Sequence, residues 1–428
     1  MRVLWLCNVM LPAIAEKLQI ETSVKEGWIS GILERYLESG SDGDMQLAIV
    51  FPADEMRANY HNVFVWNGVR INGYGFYENM AETEKYQPEL ESRFTAILND
   101  YKPDVVHVFG TEYPHALAMA KVMRNPNKLL VGIQGVISVC AKEYFAELPK
   151  EIVDRSTFRD WIKNDNIKQQ RHKFEKRGKN EIRLLKITGN VTGRTEFDRK
   201  FSEKVNPNAE YYSMNETLRQ TFYSGQWEVN RCKKYRIFFS QADYPLKGFH
   251  FLLDAMPIIL GKYPDAEVVI AGNNIMREGL LGKLKISSYG NYLKELINKY
   301  QLQDKVHFVG KLSAEEMKKE YLQCHTYVCA SVLENSPNSV GEAMLLGVPV
   351  VCANVGGVPS LVEDRMEGIL FEKADSKALA EAVISVWQRA DISVMKMSKM
   401  ARTRAQRVHD RDRNYTRLLE IYRAIEEK

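Results

Sequence analysis

The sequence is short of several things that would have settled its class at once. Six cysteines in 428 residues, Cys7, Cys140, Cys232, Cys324, Cys329 and Cys352, are scattered without a C-x-x-C pair, and no histidines stand at zinc spacing. That excludes a disulfide framework and a zinc ribbon, and it fits buried reduced thiols in a reducing compartment. No G-x-G-x-x-G follows any apolar run, which argues against a dehydrogenase. Charge of one sign is scarce too: 59 basic against 55 acidic residues leave +4, too little for a dedicated nucleic-acid binder. Long hydrophobic runs are missing. Residues 343–362 carry no charge, but two prolines and three glycines among them make helix end, strand and loop rather than a membrane span. At the start, Arg2, an apolar run and Ala13-Ile14-Ala15 imitate a signal peptide. Asn8 and Pro12 interrupt the run, and residues 2–7 read better as a buried strand.

What is present is an ordinary globular composition, 45% hydrophobic and 27% charged, which removes disordered and coiled-coil classes. The length exceeds the roughly 100–200 residues of one domain, so two or three domains are expected. Short apolar runs alternate with amphipathic segments, the pattern of a parallel α/β protein, because parallel strands need crossover helices. In the first half, strands are expected at residues 2–7, 46–51, 105–109, 129–134, 182–187 and 210–213. A first helix is expected at 24–38, where Ile29, Ile32, Leu33 and Tyr36 share one face. A second series offers strands at 236–240, 267–271, 306–309, 327–330 and 348–352, with helices at 248–260, 292–300, 314–323 and 339–346. Neither period holds over residues 220–234, which read as the linker. The expected division is 1–226, 227–405 and a final helix at 406–428 packing back toward the first domain.

Residues 163–186 hold nine basic side chains (Lys163, Lys168, Arg171, Lys173, Lys176, Arg177, Lys179, Arg183, Lys186) and three acidic ones, a local +6. A solvated helix face and contact with an anionic membrane surface are both open readings.

The densest cluster of chemistry-bearing residues is Glu334-Asn335-Ser336-Pro337-Asn338-Ser339-Val340-Gly341-Glu342, after one strand and leading into a helix. Strand, polar loop and helix start together present unpaired N–H groups and a positive dipole end, a ready site for phosphate. Ser336, Asn338 and Ser339 also suit a helix cap. Glu342, expected in the first helical turn, could accept hydrogen bonds from vicinal hydroxyls. Lys247 follows another strand, with Gly248 opening a helix, and is placed to neutralise a phosphate. Gly272 with Asn273, and Gly310 with Lys311, end neighbouring strands.

Together these residues resemble the donor domain of the retaining glycosyltransferases of family 4. The matching elements are Glu334 and Glu342 in E-x7-E, the Gly347-Val348-Pro349-Val350-Val351 strand, Gly356-Gly357-Val358-Pro359, and Lys247-Gly248. The resemblance implies a GT-B fold, two Rossmann-like parallel-sheet domains facing across a cleft. It implies transfer of a sugar from a nucleotide diphosphate sugar to a hydroxyl of a glycan or lipid-linked acceptor, with retention, no cofactor and no metal. A cytoplasmic setting in bacterial glycan assembly follows from the same resemblance, peripheral to the membrane if the basic segment binds it. Lys247 would bind the diphosphate, Glu342 the ribose hydroxyls, and Glu334 the donor sugar near its anomeric centre. The amides from Ser336 to Val340 would hold the sugar and distal phosphate, with Gly272, Asn273 and Gly310 beside the base. Gly27 is the candidate for the diphosphate loop of the first domain. Two positions depart from the family pattern: Ala242 stands where an arginine is usual, and Phe109 where a histidine is. Glu112 or His115 would substitute for the histidine, Glu112 as a catalytic residue. Arg194 would meet a phosphate or pair with an internal carboxylate. A nucleotide-sugar binding protein without catalysis, or a nucleotide-sugar epimerase, are the alternative readings.

Overall fold

The computed structural model describes residues 1–20, 27–40, 45–273 and 285–428. The chain forms two compact units, one of residues 1–139, 173–219 and 409–428, the other of residues 140–172 and 220–408. Each is built on one sheet. Residues 220–226 and, out of chain order, residues 140–172 belong with the second unit. His250 shows why, since its Nε2 bonds the Ala146 carbonyl at 3.0 Å, and Ser288 N–H donates to the Asp160 carboxylate at 2.8 Å.

The first sheet has eight strands in the order β3-β4-β2-β1-β5-β6-β7-β8. They are β1 (Arg2–Cys7), β2 (Gln46–Ala53), β3 (His61–Trp66), β4 (Val69–Tyr77), β5 (Val105–Phe109), β6 (Leu129–Gly132), β7 (Asn190–Gly193) and β8 (Glu210–Ser213). All pairings are parallel except the β3–β4 hairpin, which turns on Asn67-Gly68. Helices cover the sheet on both sides, which is why β1 and β5 are apolar at almost every position rather than alternately. Trp5, Phe109 and Tyr422 are fully buried there, each worth about 2–3 kcal/mol in apolar burial. The last helix, Arg411–Glu426, delivers Tyr422, whose hydroxyl accepts from Trp5 Nε1 at 2.8 Å and shares a hydrogen bond with His107 Nδ1 at 2.7 Å.

The expected strand at 182–187 is instead the end of a twenty-residue helix, Ile167–Lys186. Gly178, Glu181, Leu184 and Leu185 are buried at intervals of three and four, so the helical period prevails over a short apolar run. The carboxylate of Glu181 caps the helix Ile137–Glu143 by accepting from the amides of Ile137 (3.0 Å) and Ser138 (2.8 Å). The expected first helix is described from Gly27 to Glu38; residues 24–26 lie outside the described residues.

The second sheet is wholly parallel, in the order β11-β10-β9-β12-β13-β14. Its strands are β9 (Arg236–Phe239), β10 (Glu267–Ala271), β11 (Val306–Gly310), β12 (Thr326–Cys329), β13 (Val350–Ala353) and β14 (Ile369–Phe371). Among the described residues no helix is long and apolar enough to cross a membrane.

The two orders share one property. The chain runs outward from the first strand of each sheet to one side, then returns to lay strands on the other. The reversal falls between β1 and β5 in the first sheet and between β9 and β12 in the second. At such a reversal the connecting loops diverge and leave a crevice at the carboxyl ends of the strands.

Candidate active site

In the second unit, the loops leaving β9 and β12 bring Lys247 and Glu334 together at that crevice. Lys247 closes a short 3-10 turn, Pro245–Lys247, and Gly248 follows at φ +69° as the cap of helix Phe249–Lys262. A Cβ on Gly248 would lie 1.9 Å from the Ala330 carbonyl oxygen. Only glycine therefore allows the turn to lie against the end of β12. Val332 N–H reaches back to the Leu246 carbonyl at 2.9 Å, lacing the two loops.

Held this way, Lys247 Nζ donates to Glu334 Oε1 at 2.6 Å, and Ser331 Oγ donates to the same oxygen at 2.7 Å. Burial disfavours the ammonium charge, but the Glu334 carboxylate and its hydrogen bond outweigh that, and the Lys247 pKa is raised well above its ordinary value. The lysine is thus a fixed cation at any physiological pH. The Glu334 carbonyl accepts from Gly357 N–H at 2.9 Å, and a Cβ on Gly356 would strike that carbonyl at 2.1 Å. The Gly356-Gly357 loop is therefore the support on which Glu334 rests.

The helix Asn338–Leu346 begins four residues later, with Pro337 at its cap and no side-chain capping bond. The expectation that Ser336, Asn338 or Ser339 caps it is not met, so no side chain occupies its positive end in that role. Asn338 Oδ1 is buried with no hydrogen-bond partner, an acceptor facing no protein donor. Because the helix starts at Asn338, Glu342 lies just past the first turn rather than in it. It is 5% exposed and receives the Tyr321 hydroxyl at 3.5 Å.

The neighbouring strand ends are arranged as the sequence indicated. Gly272 and Gly310 both have positive φ, +104° and +82°, and Gly272 N–H bonds the Gly310 carbonyl at 2.9 Å. A Cβ on Gly310 would meet nothing within 4 Å, so that strand end faces open space. Asn273 Nδ2 donates to the Asp243 carboxylate at 2.7 Å. Ala242 is buried, and the charge an arginine would bring there is missing from this strand end.

In the first unit, the crevice between β1 and β5 holds a chain of polar groups: Glu78, His115, Asn8 and Glu112. Glu78 accepts from the His115 backbone N–H (3.0 Å) and pairs with its Nδ1 (2.9 Å). His115 Nε2 lies 3.3 Å from Asn8 Oδ1, and Asn8 Nδ2 donates to Glu112 Oε2 at 3.0 Å. Glu112 Oε1 accepts from Gly135 N–H at 3.2 Å. His115 is fully buried and acts on Asn8 rather than on solvent. Glu112 and Asn8, both partly exposed, are the members of the chain that a small molecule could reach.

Gly110 makes room for this arrangement, since a Cβ there would lie 2.2 Å from Glu112 Oε2 and 2.3 Å from Asn8 Nδ2, and φ is +104°. Gly110→Ala is expected to cost about 1–3 kcal/mol of stability and to move Glu112. Gly68→Ala is the control, because Gly68 also has positive φ but open space around it. Thermal melts should fall for both variants, while any Glu112-dependent activity should fall for Gly110→Ala alone.

Three other first-unit residues take the following places. Arg194 is an internal residue: its guanidinium contacts the Glu216 carboxylate and donates to the Ile133 carbonyl at 2.8 Å, with 6% of the side chain exposed. Burial is the main reason its pKa falls to about 10, partly offset by Asp198 and Glu112. Of the two readings of Arg194, its contacts are those of the internal pair. His107 is likewise a packed strand residue bound to Tyr422. Gly27, the candidate for the diphosphate loop, opens helix Gly27–Glu38, and residues 21–26 lie outside the described residues. Asn8 and Ser331 went unrecognised in the sequence. Their signal was position, a polar residue directly after a central strand at the point where the strand order reverses.

Residues 226–405 match the family model described as Glycosyl transferases group 1. An uncharacterized glycosyltransferase of Methanocaldococcus jannaschii is 31% identical over 144 residues, 33% of each chain. A putative glycosyltransferase of Bacillus subtilis, YtcC, is 26% identical over 183 residues, 42% of this chain and 43% of that one. The chain thus aligns with less than half the length of these curated relatives. Among solved structures, the sucrose-phosphate synthase of Thermosynechococcus elongatus matches over 99% of both chains with a TM-score of 0.68 at 14% identity. Anabaena HepE in complex with UDP-glucose matches 99% of this chain and 100% of its own with a TM-score of 0.64 at 15% identity. The chain has the GT-B fold, and it is similar to glycosyl transferases group 1 over residues 226–405.

Proposed function

We propose that this protein is a retaining glycosyltransferase that moves a sugar from a nucleotide diphosphate sugar, with a UDP-sugar as the first choice of donor, to a hydroxyl of a glycan or lipid-linked acceptor. One observation carries the reading. The Lys247–Glu334 pair, 2.6 Å apart, stands at the strand-order reversal beside a helix start with no side-chain cap, inside the segment that matches the family model. When the bond from sugar to diphosphate breaks, negative charge grows on the leaving oxygens. A fixed ammonium and backbone amides already aimed at that position stabilise the charge with little reorganisation. A bound diphosphate competes with Glu334 for Lys247, and that competition frees the carboxylate to accept from sugar hydroxyls. Glu342 is proposed to hold the ribose hydroxyls, and Glu112 to take the part of the histidine that Phe109 replaces. The reaction is proposed to need no metal, because Lys247 and the amides supply the compensating charge.

The test is nucleoside diphosphate release across a panel of nucleotide sugars, with the anomeric configuration of the product read by NMR. Release with at least one donor, retained configuration, and full activity in the presence of a chelator are expected. Donor binding without turnover would instead identify a binding protein, and an epimerised sugar with no acceptor consumed would identify an epimerase; either outcome overturns the proposal.

A further inference from the structure

Glu78 and His115 are paired almost out of reach of water, with 0% and 1% of their side chains exposed. Burying two such groups costs desolvation that an apolar pair avoids, so the reason for them lies in what they hold. Glu78 follows β4, and His115 stands in the first turn of helix Pro114–Val122. Both oxygens of the carboxylate are engaged: Oε1 accepts from the His115 backbone N–H and Oε2 meets the ring at Nδ1. Phe76 and Tyr113 flank the ring, their centroids 5.1 and 5.6 Å away. The second ring nitrogen, Nε2, points to Asn8 Oδ1 at 3.3 Å, and Asn8 leads to Glu112.

The direction of each hydrogen bond in this row follows from chemistry, because a carboxylate only accepts. The Glu112 carboxylate takes the Asn8 amide by its Nδ2 side. That turns Oδ1 toward His115, so Nε2 must carry a proton. The Glu78 carboxylate requires a proton on Nδ1 in the same way. With Nε2 bare, the order reverses: Asn8 turns over to donate to the ring and sets Oδ1 against Glu112, an acceptor facing an acceptor. The state of a buried ring is thus passed to the crevice through one amide. The other charged and titratable groups around the row are Tyr113, Arg177 and Arg194. Arg177 Nε donates to the Glu112 carbonyl at 2.8 Å and its guanidinium lies over the Tyr113 ring, while Arg194 feels the Glu112 charge. Beside Glu112, a Cβ on Gly135 would meet nothing within 4 Å, so there is room for a ligand there.

We infer that Glu78, His115 and Asn8 are positioning residues that hold the Glu112 carboxylate toward the opening at Gly135, where it accepts from a neutral sugar hydroxyl rather than from an anionic group. The inference rests on the part proposed for Glu112 in transfer. Its first test needs no substrate: NMR of the full chain with ¹⁵N-labelled histidine, His115 being assigned by its loss in His115→Gln. Near neutral pH the wild type should show protons on both His115 nitrogens. In Glu78→Gln, Oε1 still accepts from the His115 backbone N–H, so the new amide must donate to Nδ1, and a single proton should remain on Nε2. The second test follows turnover against pH, with the donor and acceptor identified by nucleoside diphosphate release. The wild-type kcat should fall on the alkaline side as Nε2 loses its proton, and Glu78→Gln should hold its rate there, an effect that a merely structural pair would not produce. Asn8→Ala should lower kcat by about tenfold with donor KM and melting unchanged. A neutral His115 in the wild type overturns the inference, as does a proton on Nδ1 in Glu78→Gln or an alkaline fall that Glu78→Gln leaves in place. Full turnover by Asn8→Ala where Glu112→Ala is slow overturns it too. Full turnover by Glu112→Ala strikes the reading of Glu112 itself, and the inference with it.

Discussion

Lys247→Ala is expected to reduce sugar transfer about 10²–10³-fold, the scale found when one preorganised partner of a developing charge is removed. The loss should fall mainly on kcat, because the diphosphate carries more charge in the transition state than in the bound donor. The same substitution leaves Glu334, of which 15% is exposed, without its cation. Stability should therefore drop as well, by about 2–3 kcal/mol, somewhat less than for a fully buried pair. The two effects separate in a double variant. Lys247→Met with Glu334→Gln replaces both charges together, so melting should return close to wild type while transfer stays low. Lys247→Arg keeps the charge but puts a broad guanidinium where an ammonium bonds Glu334, and partial activity is expected. Near wild-type turnover by Lys247→Ala with every competent donor would sink the site assignment.

The same residue shows how far the sequence could be read. Lys247, Glu334 and Gly248 were legible because each follows a strand and precedes a helix, an arrangement that local pattern reveals. Their contact was not, since it depends on the order of strands in the sheet, which brings β9 beside β12 across 87 residues of chain. Most strands fell where apolar runs placed them, because both faces of a parallel sheet are buried and each strand reads as a block. The β3–β4 hairpin was passed over although Asn67-Gly68 is a strong signal for a tight hairpin turn. The run at 182–187 misled for the opposite reason: a short apolar stretch fits either period, and packing at Gly178, Leu184 and Leu185 decides for the helix. Arg194 and His115 illustrate a limit of another kind. A polar residue near a strand end is as often a brace as a ligand, and which it is depends on carboxylates, Glu216 and Glu78, supplied from other parts of the chain.

The largest effect on the protein as a whole is expected from acid. Four of the five buried histidines, two in each unit, have a lowered pKa. Burial lowers the pKa of His107 to about 3 and of His250 to about 4. His409 falls to about 3 through burial and then Arg194, and His325 to about 4 through burial and then Lys234. Hydrogen bonds fix their tautomers: His325 Nδ1 accepts from Tyr235 N–H at 3.1 Å, and His250 donates from Nε2 to the Ala146 carbonyl. Each pKa is depressed below the unfolded value of about 6.5. Each histidine therefore adds stability that is complete above that pH and is lost as pH falls toward the folded pKa. By about pH 5 the loss is roughly 2 kcal/mol per histidine, or about 4 kcal/mol per unit. Glu181 works the other way. Burial raises its pKa to about 6 against the pull of the Ser138, Ile137 and Thr111 hydrogen bonds. Its contribution is present below about pH 4.5, is lost as pH rises through 6, and so returns about 1 kcal/mol at pH 5. The histidines outweigh it, and against a total stability of about 5–15 kcal/mol they should bring unfolding between about pH 4 and 5. Melting temperature followed from about pH 7.5 downward should stay flat to about 6.5 and then fall steeply. Because His325→Asn keeps an acceptor for Tyr235 N–H and cannot be protonated, it should flatten the fall for one unit only. A melting temperature that does not change between about pH 6.5 and 5 would show that these histidines are not held neutral by the fold.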